Sequence, residues 1–336
     1  MRFTKLAPAV LLAAAALALG PGVQADPLKV RYGYVVPGAD APLMMFKKAG
    51  IAKHDGASYT LDAIHFQGTP PMITALAAGE IDVAPLAYST LSLAIQNAGM
   101  SDLRIIADVF QDGVPGYYTN EFMVLKDSPF HKVEDLKGHV ASTNAAGAAV
   151  DIALRAMLKK HGLEDKKNIT ILEAGFPNLK AMLFEHKIDL MIAVRPFSAA
   201  PDLREKARTL FTQKDAIGRS QMIIMTAREP FLKKNHAAVV DFLEDTLREL
   251  HWYSEPKNHD EAVKIFSDNT KIPAAVFQGW IFTKGDFYRD PAGMPDLKAL
   301  QANVETQRET GFLKGDLDVK KYAELNYVEE AAKRLK

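Results

Sequence analysis

The sequence predicts an α/β fold of two similar lobes, each a mostly parallel sheet flanked by helices, with a ligand cleft between the lobes. Two observations carry this prediction. A strand–helix–strand unit occurs twice, and short apolar strands alternate with helices along most of the chain. Because alternating strands and helices form βαβ units, we expect parallel sheets joined by right-handed crossovers.

The repeated unit spans Ile64 to Ser89 and recurs 107 positions later in Ile171 to Pro196. Each copy predicts a strand, a turn at a glycine, a helix with proline in its first turn, and a short buried strand that opens with Ile-Asp. The matched pairs are Ile64 with Ile171, Gly68 with Gly175, Pro70 with Pro177, Leu76 with Leu183, Ile81 with Ile188, and Asp82 with Asp189. Chance agreement between two ordinary βαβ units is the alternative, and duplication of a lobe is the interpretation we favour.

The other elements follow from alternating apolar residues, helix caps and turn residues. The predicted strands are 28–36, 60–66, 81–84, 103–110, 139–143, 169–172 and 221–226. The predicted helices are 42–49, 70–78, 89–97, 148–161, 237–252, 260–268, 274–282 and 296–309. Thr69 is expected to cap the second of these helices and Ser89 the third.

Two segments without regular patterns lie where the chain would cross between the lobes: the turn-rich Asp112 to Gly116 and the polar Gln213 to Ser220. We therefore expect a signal peptide at 1–25, the first part of lobe 1 at 26–115, lobe 2 at 116–218, and the rest of lobe 1 at 219–336. This last part supplies a return strand and amphipathic helices, which we expect to pack around the first lobe.

The composition is that of a globular protein of about two domains, with 336 residues, 48% hydrophobic and 24% charged. Lysine plus arginine equals aspartate plus glutamate, at 41 each, so no basic excess indicates a nucleic-acid partner. The sequence contains no cysteine, which excludes disulfides, thiol catalysis and cysteine-bound metal.

The N-terminus has the three parts of a secretory signal peptide. Arg2 and Lys5 supply a positive start, 10–19 form an apolar run, and Val23-Gln24-Ala25 is a small-x-small cleavage site. A membrane anchor is the alternative, but the apolar run is too short to span a bilayer. Because no cysteine is available for lipid attachment, we expect an unanchored mature chain that begins near Asp26, in the periplasm of a Gram-negative cell.

Ligands of open α/β sheets bind beyond the carboxyl ends of the strands. Several of these predicted ends also open helices, whose unpaired N–H groups and positive dipole attract anions. The predicted ligand-binding residues are Tyr34, Gln67, Gly68, Tyr88, Ser89, Thr90, Asn144, Ala145, Ala146, Gly147, Phe176 and Arg195. For Ser89 and Asn144 plain helix capping is the alternative role, and each aromatic residue alone is more often part of a core.

Arg195 is the strongest single candidate. It ends an apolar strand, where an arginine either binds a carboxylate or sulfonate through two parallel N–H bonds or simply reaches solvent. The 107-residue offset pairs it with Tyr88, so we expect a cation and a phenol to face one cleft from opposite lobes. The pattern indicates a small organic anion, aromatic or aliphatic, as the ligand.

The sequence contains no nucleophile elbow, P-loop or zinc-binding helix, and its nine histidines include no pair at ligand spacing on a helix. This favours a binding protein over an enzyme. We therefore expect no catalytic residues, no metal and no cofactor.

Four segments resemble one protein family: ALAAGEIDVA, DLKGHVASTNAAG, AVRPF and ETGFLKGDLDVKKYAELNYVEEA. They are similar to periplasmic substrate-binding proteins of ABC importers in the aliphatic-sulfonate, taurine and nitrate group, also labelled SsuA/TauA or NMT1-like. The resemblance covers essentially the whole mature chain. It implies the type II periplasmic-binding-protein fold, whose two lobes close on a ligand about two hinge strands. It also implies binding loops at Gln67-Gly68, Tyr88 to Thr90, Asn144 to Gly147 and Arg195-Pro196.

By this resemblance the chain is a monomeric receptor that delivers a small organic anion to an ABC permease in the inner membrane. Members of the family often carry tryptophan or an acidic residue where Arg195 stands, so the ligand of a named member does not transfer. The alternatives are a periplasmic sensor subunit and a protein that binds a thiamine-related pyrimidine precursor. The fold also resembles aromatic sulfinate desulfinases and thiamine-pyrimidine synthases, which rely on cysteines that this chain lacks.

Overall fold

The computed structural model describes residues 26–36 and 47–336. The predicted signal peptide at 1–25, and the loop and helix start predicted within 37–46, lie outside this part of the chain. Across the described residues, no helix combines the length and the hydrophobicity that crossing a membrane requires.

Strands and helices alternate through the first two-thirds of the chain, and helices follow. The strands are β1 (Leu28–Tyr34), β2 (Tyr59–His65), β3 (Val83–Ala87), β4 (Leu103–Asp112), β5 (Glu121–Leu125), β6 (Val140–Thr143), β7 (Thr170–Glu173), β8 (Met191–Ala193), β9 (Ala207–Thr212) and β10 (Ser220–Arg228). The α-helices are α1 (Thr69–Ala77), α2 (Tyr88–Gln96), α3 (Ala149–Lys160), α4 (Phe176–Phe184), α5 (Pro201–Lys206), α6 (Gln213–Ile217), α7 (Glu229–Lys234), α8 (His236–Ser254), α9 (His259–Thr270), α10 (Leu297–Glu309) and α11 (Asn326–Arg334). Short 3-10 turns lie at Val133–Leu136, Phe197–Ala199, Pro256–Asn258, Ala274–Val276 and Val319–Tyr322.

The first sheet has the strand order β2-β1-β3-β10-β4. β1 pairs in parallel with β2 and β3, whereas β10 runs antiparallel to both β3 and β4. Four of the five strands thus share one direction, as expected of a mostly parallel sheet. The expectation of parallel pairing fails for β10, because this strand returns from the second sheet and enters the first from the opposite end.

The second sheet repeats this arrangement. It consists of β8-β5-β9 with β6-β7 beside it, and a bridge between Ala141 and Leu190 joins the two parts. The full order is therefore β7-β6-β8-β5-β9, with β5 as the antiparallel strand. The order matches that of the first sheet, strand for strand, which is the topology expected of a duplicated lobe. We call each sheet with its helices the first and the second lobe.

The repeated unit is visible in the two helices that carry it. α1 and α4 have the same length and lie 107 positions apart. Their matched leucines, Leu76 and Leu183, are both buried. Gly79 and His186 follow the helices at equivalent places, and both have positive φ, at 71° and 54°. The same backbone turn therefore ends both helices.

The matched aspartates of the Ile-Asp pairs, Asp82 and Asp189, also make equivalent hydrogen bonds. Asp82 accepts a hydrogen bond from the backbone N–H of Arg31 at 3.0 Å, and Asp189 accepts one from that of Val140 at 2.9 Å. Each carboxylate ties the turn before one strand to the neighbouring parallel strand. The Ile-Asp signal is thus structural.

The helix caps differ from the predicted ones. Thr69 is the first residue of α1, and Gly68 is its N-cap. Ser89 lies inside α2, whose N-cap is Ala87. Both helices begin one or two residues earlier than predicted, because the extended strand or turn runs directly into the helix.

The helix predicted at 274–282 is reduced to the 3-10 turn Ala274–Val276 and irregular turns after it. Gly279 interrupts the helical pattern, and the positive φ of Phe282, at 59°, ends it. The segment that results, 280–289, contributes to the site described below.

The C-terminal helices pack on the first sheet, as expected. The Phe242 ring on α8 lies 6.1 Å from the Tyr32 ring and 5.6 Å from the Tyr59 ring. Asp245, on the same helix, accepts hydrogen bonds from the Tyr59 hydroxyl at 2.9 Å and from the backbone N–H of His54 at 2.8 Å. These contacts fix α8 against β1 and β2.

A buried polar network holds the two crossings between the lobes. Asp112, at the end of β4, accepts hydrogen bonds from the Thr119 hydroxyl and the Asn120 backbone N–H. Asn120 Nδ2 donates to Gln213 Oε1 at 3.2 Å, and Gln213 Nε2 donates to Ser220 Oγ at 2.9 Å. The lobe boundaries expected after residues 115 and 218 fall in these crossings and stay predictions.

Candidate ligand-binding cleft

A cavity of about 90 Å³ lies between the two sheets, at strand ends where the sequence predicts a ligand. Both lobes and the crossings contribute to its described lining: Val35, Val36, Gly68, Thr69, Pro85, Ala87, Phe110, Asn120, Asn144, Ala148, Ala149, Val150, Phe176, Val194, Arg195, Met222, Ile223 and Phe287. Only four of these residues have polar side chains: Thr69, Asn120, Asn144 and Arg195. In an apolar wall each polar group acts strongly, because little water screens it.

Arg195 is held in place by two rings and a carbonyl. Its guanidinium carbon lies 4.3 Å from the centre of the Tyr118 ring and 4.9 Å from that of Trp280. Nε and Nη2 donate to the Gly285 carbonyl at 3.3 and 3.2 Å. Among the residues that the structure describes, Nη1 meets no acceptor and no carboxylate pairs with the guanidinium. The arginine is therefore oriented while part of its hydrogen-bonding capacity stays available.

The carboxylates that act electrostatically on Arg195 already have partners. Glu121 pairs with Arg204 and accepts a hydrogen bond from Thr209 Oγ1 at 2.7 Å. Asp286 pairs with Arg289 at 2.9 Å in the interior. Burial lowers the pKa of Arg195, but arginine stays protonated in proteins. The cleft wall thus carries a cation whose charge is not neutralised locally.

The helix N-termini offer fewer N–H groups than expected. α1 opens with Thr69-Pro70-Pro71, and its two prolines have no N–H to donate. α4 has Pro177 as its second residue. These prolines favour the helix starts sterically but remove two of the first-turn N–H donors in α1 and one in α4.

The loop before α3 uses its N–H groups internally. The backbone N–H of Ala146 donates to Glu173 at 3.1 Å, and that of Gly147 donates to Asp151 at 2.9 Å. Asp151 is fully buried and pairs with Arg155 at 3.0 Å. The small residues of this loop therefore allow close approach, but the amides of Ala146 and Gly147 are occupied. Arg195 is the only cationic side chain among the described lining residues.

Tyr88 does not face the open cavity, contrary to the expectation from the repeat. Its side chain is fully buried, and its hydroxyl donates to the Ala149 carbonyl of α3 at 2.7 Å. This hydrogen bond joins the lobes. Thr90 Oγ1 donates to the Ala87 carbonyl at 2.9 Å, and Ser89 Oγ is buried without a partner in the described structure.

Four of the predicted ligand-binding residues lie on the cavity wall: Gly68, Asn144, Phe176 and Arg195. The other eight lie elsewhere: Tyr34, Gln67, Tyr88, Ser89, Thr90, Ala145, Ala146 and Gly147. Tyr34 packs its ring 5.1 Å from His65, and Gln67 is exposed. A direct role of any of the twelve in ligand binding stays a prediction.

Sequence reasoning missed the part of the wall that comes from the crossings and the C-terminal region. Phe110 and Asn120 flank the first crossing, Met222 and Ile223 lie on β10, and Phe287 lies in the irregular segment 280–289. Asn120 is a polar residue close to the first predicted crossing, and this position could have marked it as a candidate ligand-binding residue. Phe287 carries no motif, so nothing in the sequence marks it.

His54, Asp241 and Glu244 are the described residues with ligand atoms close enough for a metal ion, within 4.8 Å of one another. Arg334 pairs with Asp241 at 2.8 Å, and Arg248 pairs with Glu244. Because arginines already neutralise both carboxylates, we assign these residues to an ion-pair network on α8.

The two sheets have the same strand order, and two crossings join them around a shared cavity, which defines a two-lobed α/β architecture. A sequence model of the NMT1-like family matches residues 24–267, which is more than half of the chain. The protein belongs to this family. A comparison with curated protein sequences gives no match.

Solved structures with the same fold include binding proteins and an enzyme. The chain is similar to the periplasmic aliphatic sulphonate binding protein SsuA from Escherichia coli, with a TM-score of 0.68 and 18% identity over 88% of this chain and 92% of that one. It is similar to the periplasmic nitrate-binding protein NrtA from Synechocystis PCC 6803, with a TM-score of 0.71 and 16% identity over 92% and 89%. The desulfurization enzyme DszB gives a TM-score of 0.64 and 14% identity over 92% and 100%. The predicted two-lobed, type II periplasmic-binding-protein fold is confirmed.

Proposed function

We propose that this protein is a periplasmic solute-binding receptor of an ABC importer, and that its ligand is a small organic anion, a carboxylate or a sulfonate. The observation that carries the proposal is Arg195, a pre-oriented guanidinium without a carboxylate partner in the described structure, on the wall of an apolar cleft. A carboxylate or sulfonate accepts parallel N–H bonds from such a group, and the apolar wall suits an organic body.

Capture by hinge closure fits the way the lobes are joined. Ligand pockets usually measure about 300–1,000 Å³, so a cavity of about 90 Å³ admits an organic anion only when the lobes separate. The crossings at Asp112–Asn120 and Gln213–Ser220 are the places about which the lobes would turn. The Tyr88–Ala149 hydrogen bond would form on closure.

Further support comes from the kinds of protein that share the fold. SsuA and NrtA carry names that assign them sulphonate and nitrate, both anions, and a periplasmic location. The signal peptide expected at 1–25 supports the same compartment for this chain. Delivery to a membrane permease follows from that class and is part of the proposal.

A catalytic role has less support, although DszB has the same fold. The described cleft wall brings no nucleophile together with a general base, and the chain has no cysteine. Turnover of a bound ligand would revive this alternative.

The test is a thermal-shift screen followed by isothermal titration calorimetry on the mature chain. Alkyl and aryl sulfonates, carboxylates, nitrate and matched neutral amides are the probes. A ligand at one hundred times its dissociation constant stabilises the folded state by about 2.7 kcal/mol, so binding raises the melting temperature. We expect organic acids to raise it and neutral amides to leave it unchanged.

The Arg195→Ala variant should lose this response. Arg308→Ala is the matched control, because Arg308 is a half-exposed arginine that pairs with the exposed Asp316 away from the cleft. Acid binding that is as tight in Arg195→Ala as in the wild type would overturn the assignment of the arginine. A response to neutral or cationic compounds alone would overturn the anion.

A further inference from the structure

We infer that the cleft selects acids that carry a second polar group, an N–H or O–H donor, and that Asn120 sets this preference. The inference deepens the proposed function and rests on it, because it concerns the ligand of the same cleft.

Asn120 has a carboxamide oxygen that meets no partner in the described structure. The residue is 1% exposed, lies on the cavity wall, and keeps its Oδ1 buried. Buried polar atoms almost always have a hydrogen-bond partner, and an exception in a ligand cleft indicates a partner that arrives with the ligand.

The orientation of this amide is fixed by its neighbours. Gln213 Nε2 lies 2.9 Å from Ser220 Oγ and 3.3 Å from Met222 Sδ. A thioether accepts hydrogen bonds and donates none, so the NH₂ group of Gln213 must face it. Gln213 Oε1 therefore faces Asn120, whose Nδ2 donates to it at 3.2 Å. The atom of Asn120 that remains for a ligand is the acceptor, Oδ1.

A second acceptor lies on the other side of Arg195. Asn144 lines the cavity, and its Oδ1 is also buried without a partner in the described structure. Asn144 directly follows β6 and Asn120 directly precedes β5, and β8 runs between these strands with Arg195 just beyond its end. Strands lie about 4.8 Å apart, so the two asparagine backbones are roughly 10 Å apart with the arginine between them.

This arrangement favours one chemistry over another. An acid group held by Arg195 has an open acceptor on either side, on the two strands that flank the strand of the arginine, and a substituent on a ring or short chain would carry the donor. A bare anion such as nitrate has no N–H or O–H donor to offer to the Oδ1 atom of either asparagine. A cleft that buries an open acceptor discriminates against ligands that lack the matching donor.

Matched acids test the inference by calorimetry on the full mature chain. The probes are benzoate, its three monohydroxy isomers and their methyl ethers, with butanesulfonate and 4-hydroxybutanesulfonate as an aliphatic pair. We expect at least one hydroxy acid to bind tenfold or more tightly than both its parent and its methyl ether. The advantage should shrink to less than threefold in Asn120→Leu or Asn144→Leu, and should persist in the exposed control Asn97→Leu.

The outcomes separate the inference from the proposed function. Equal binding of hydroxy acids, parents and ethers overturns the inference and leaves the solute-receptor proposal standing. Failure of every acid to bind the wild type overturns both. Circular dichroism checks the folding of the leucine variants, and the wild-type comparison of donor and ether decides the inference without them.

Discussion

The guanidinium carbon of Arg195 lies 4.9 Å from the centre of the Trp280 ring, and this cation–π contact ties the second lobe to the C-terminal segment. The ring itself is fixed, because its N–H donates to the Val276 carbonyl at 2.6 Å. The chain beyond it bridges to β4 through Tyr288 and Gln111. Trp280, which belongs to the C-terminal segment attached to the first lobe, thus helps to position Arg195 at the cleft.

Replacing Trp280 with leucine should weaken the binding of an organic acid by roughly 2- to 30-fold, because a cation–π contact contributes about 0.5–2 kcal/mol. Calorimetry with an acid found in the screen measures the change. Trp252→Leu is the matched control, since Trp252 also carries a cation, Lys48 Nζ at 4.6 Å, but not Arg195. Equal losses in the two variants would show that the effect is unrelated to the arginine.

Gly113 and Gly116 give a matched test of the first crossing. Both have positive φ, at 77° and 84°, but a Cβ at Gly113 would meet the Gly218 carbonyl oxygen at 3.0 Å, whereas one at Gly116 would meet nothing within 4 Å. Alanine in a left-handed conformation costs about 1–2 kcal/mol. We expect Gly116→Ala to lose about this much unfolding free energy and Gly113→Ala to lose more.

Chemical denaturation of both glycine variants measures the difference. The two crossings contact each other at Gly113 and Gly218. The larger loss of unfolding free energy in Gly113→Ala is expected because neither backbone can move to make room for the added Cβ. Equal losses of unfolding free energy in the two variants would mean that the backbone at Gly113 and Gly218 shifts to accommodate the Cβ without strain.

Asp112 should make stability depend on pH. Burial raises its pKa to about 7, against the hydrogen bonds from Thr119 and Asn120, which lower it. The folded state therefore holds a proton that the unfolded state has released, from about pH 4 up to about pH 7. Stability falls as pH rises through this window, by up to about 1.4 kcal/mol per pH unit for one proton.

Asp112→Asn removes this titration, so its unfolding free energy should fall less steeply between pH 5 and about pH 7 than that of the wild type. Burial also raises the pKa of Asp108 to about 7. Because Asp108 is still present in Asp112→Asn, part of the dependence of unfolding free energy on pH should remain in that variant. Denaturant titrations at several pH values measure it, with the exposed Asp316→Asn as control. A slope that is the same in all three proteins would contradict the assignment.

Asp82 and Asp189 should differ in how much they stabilise their lobes. Each accepts a backbone N–H, but Asp82 also holds the Arg31 guanidinium through two further hydrogen bonds, at 2.8 and 2.6 Å. Loss of a charged hydrogen-bond partner costs about 1–3 kcal/mol. We expect Asp82→Ala to cost more unfolding free energy than Asp189→Ala. The reverse order in urea denaturation would contradict this.

Much of the fold is readable from the sequence, because turn glycines, helix prolines and the Ile-Asp pairs impose the same local geometry in both lobes. What periodicity does not reveal is the direction of β10, since an apolar strand looks the same whichever way it enters a sheet. The helix expected at 274–282 fails because a single glycine and one positive φ outweigh an amphipathic pattern.

The site is less predictable than the fold. Arg195 stands out because a cation ends an apolar strand. The occupied amides of Ala146 and Gly147 could not be foreseen, because Glu173 and Asp151 reach them only in the folded chain. Tyr88 shares a register position with the arginine, but position in a repeat does not fix whether a side chain enters a cleft or a packed interface.

The place of β10 between β3 and β4 has a consequence for the order in which the molecule assembles. The second sheet has all its strands once the chain has reached Thr212. The first sheet lacks its interior strand β10 until residues 220–228 have been added. A polypeptide delivered from its N-terminus therefore finishes the inserted lobe before the lobe that surrounds it. Until then β3 and β4 expose unpaired edges, and any truncation before Ser220 leaves those edges open to other chains.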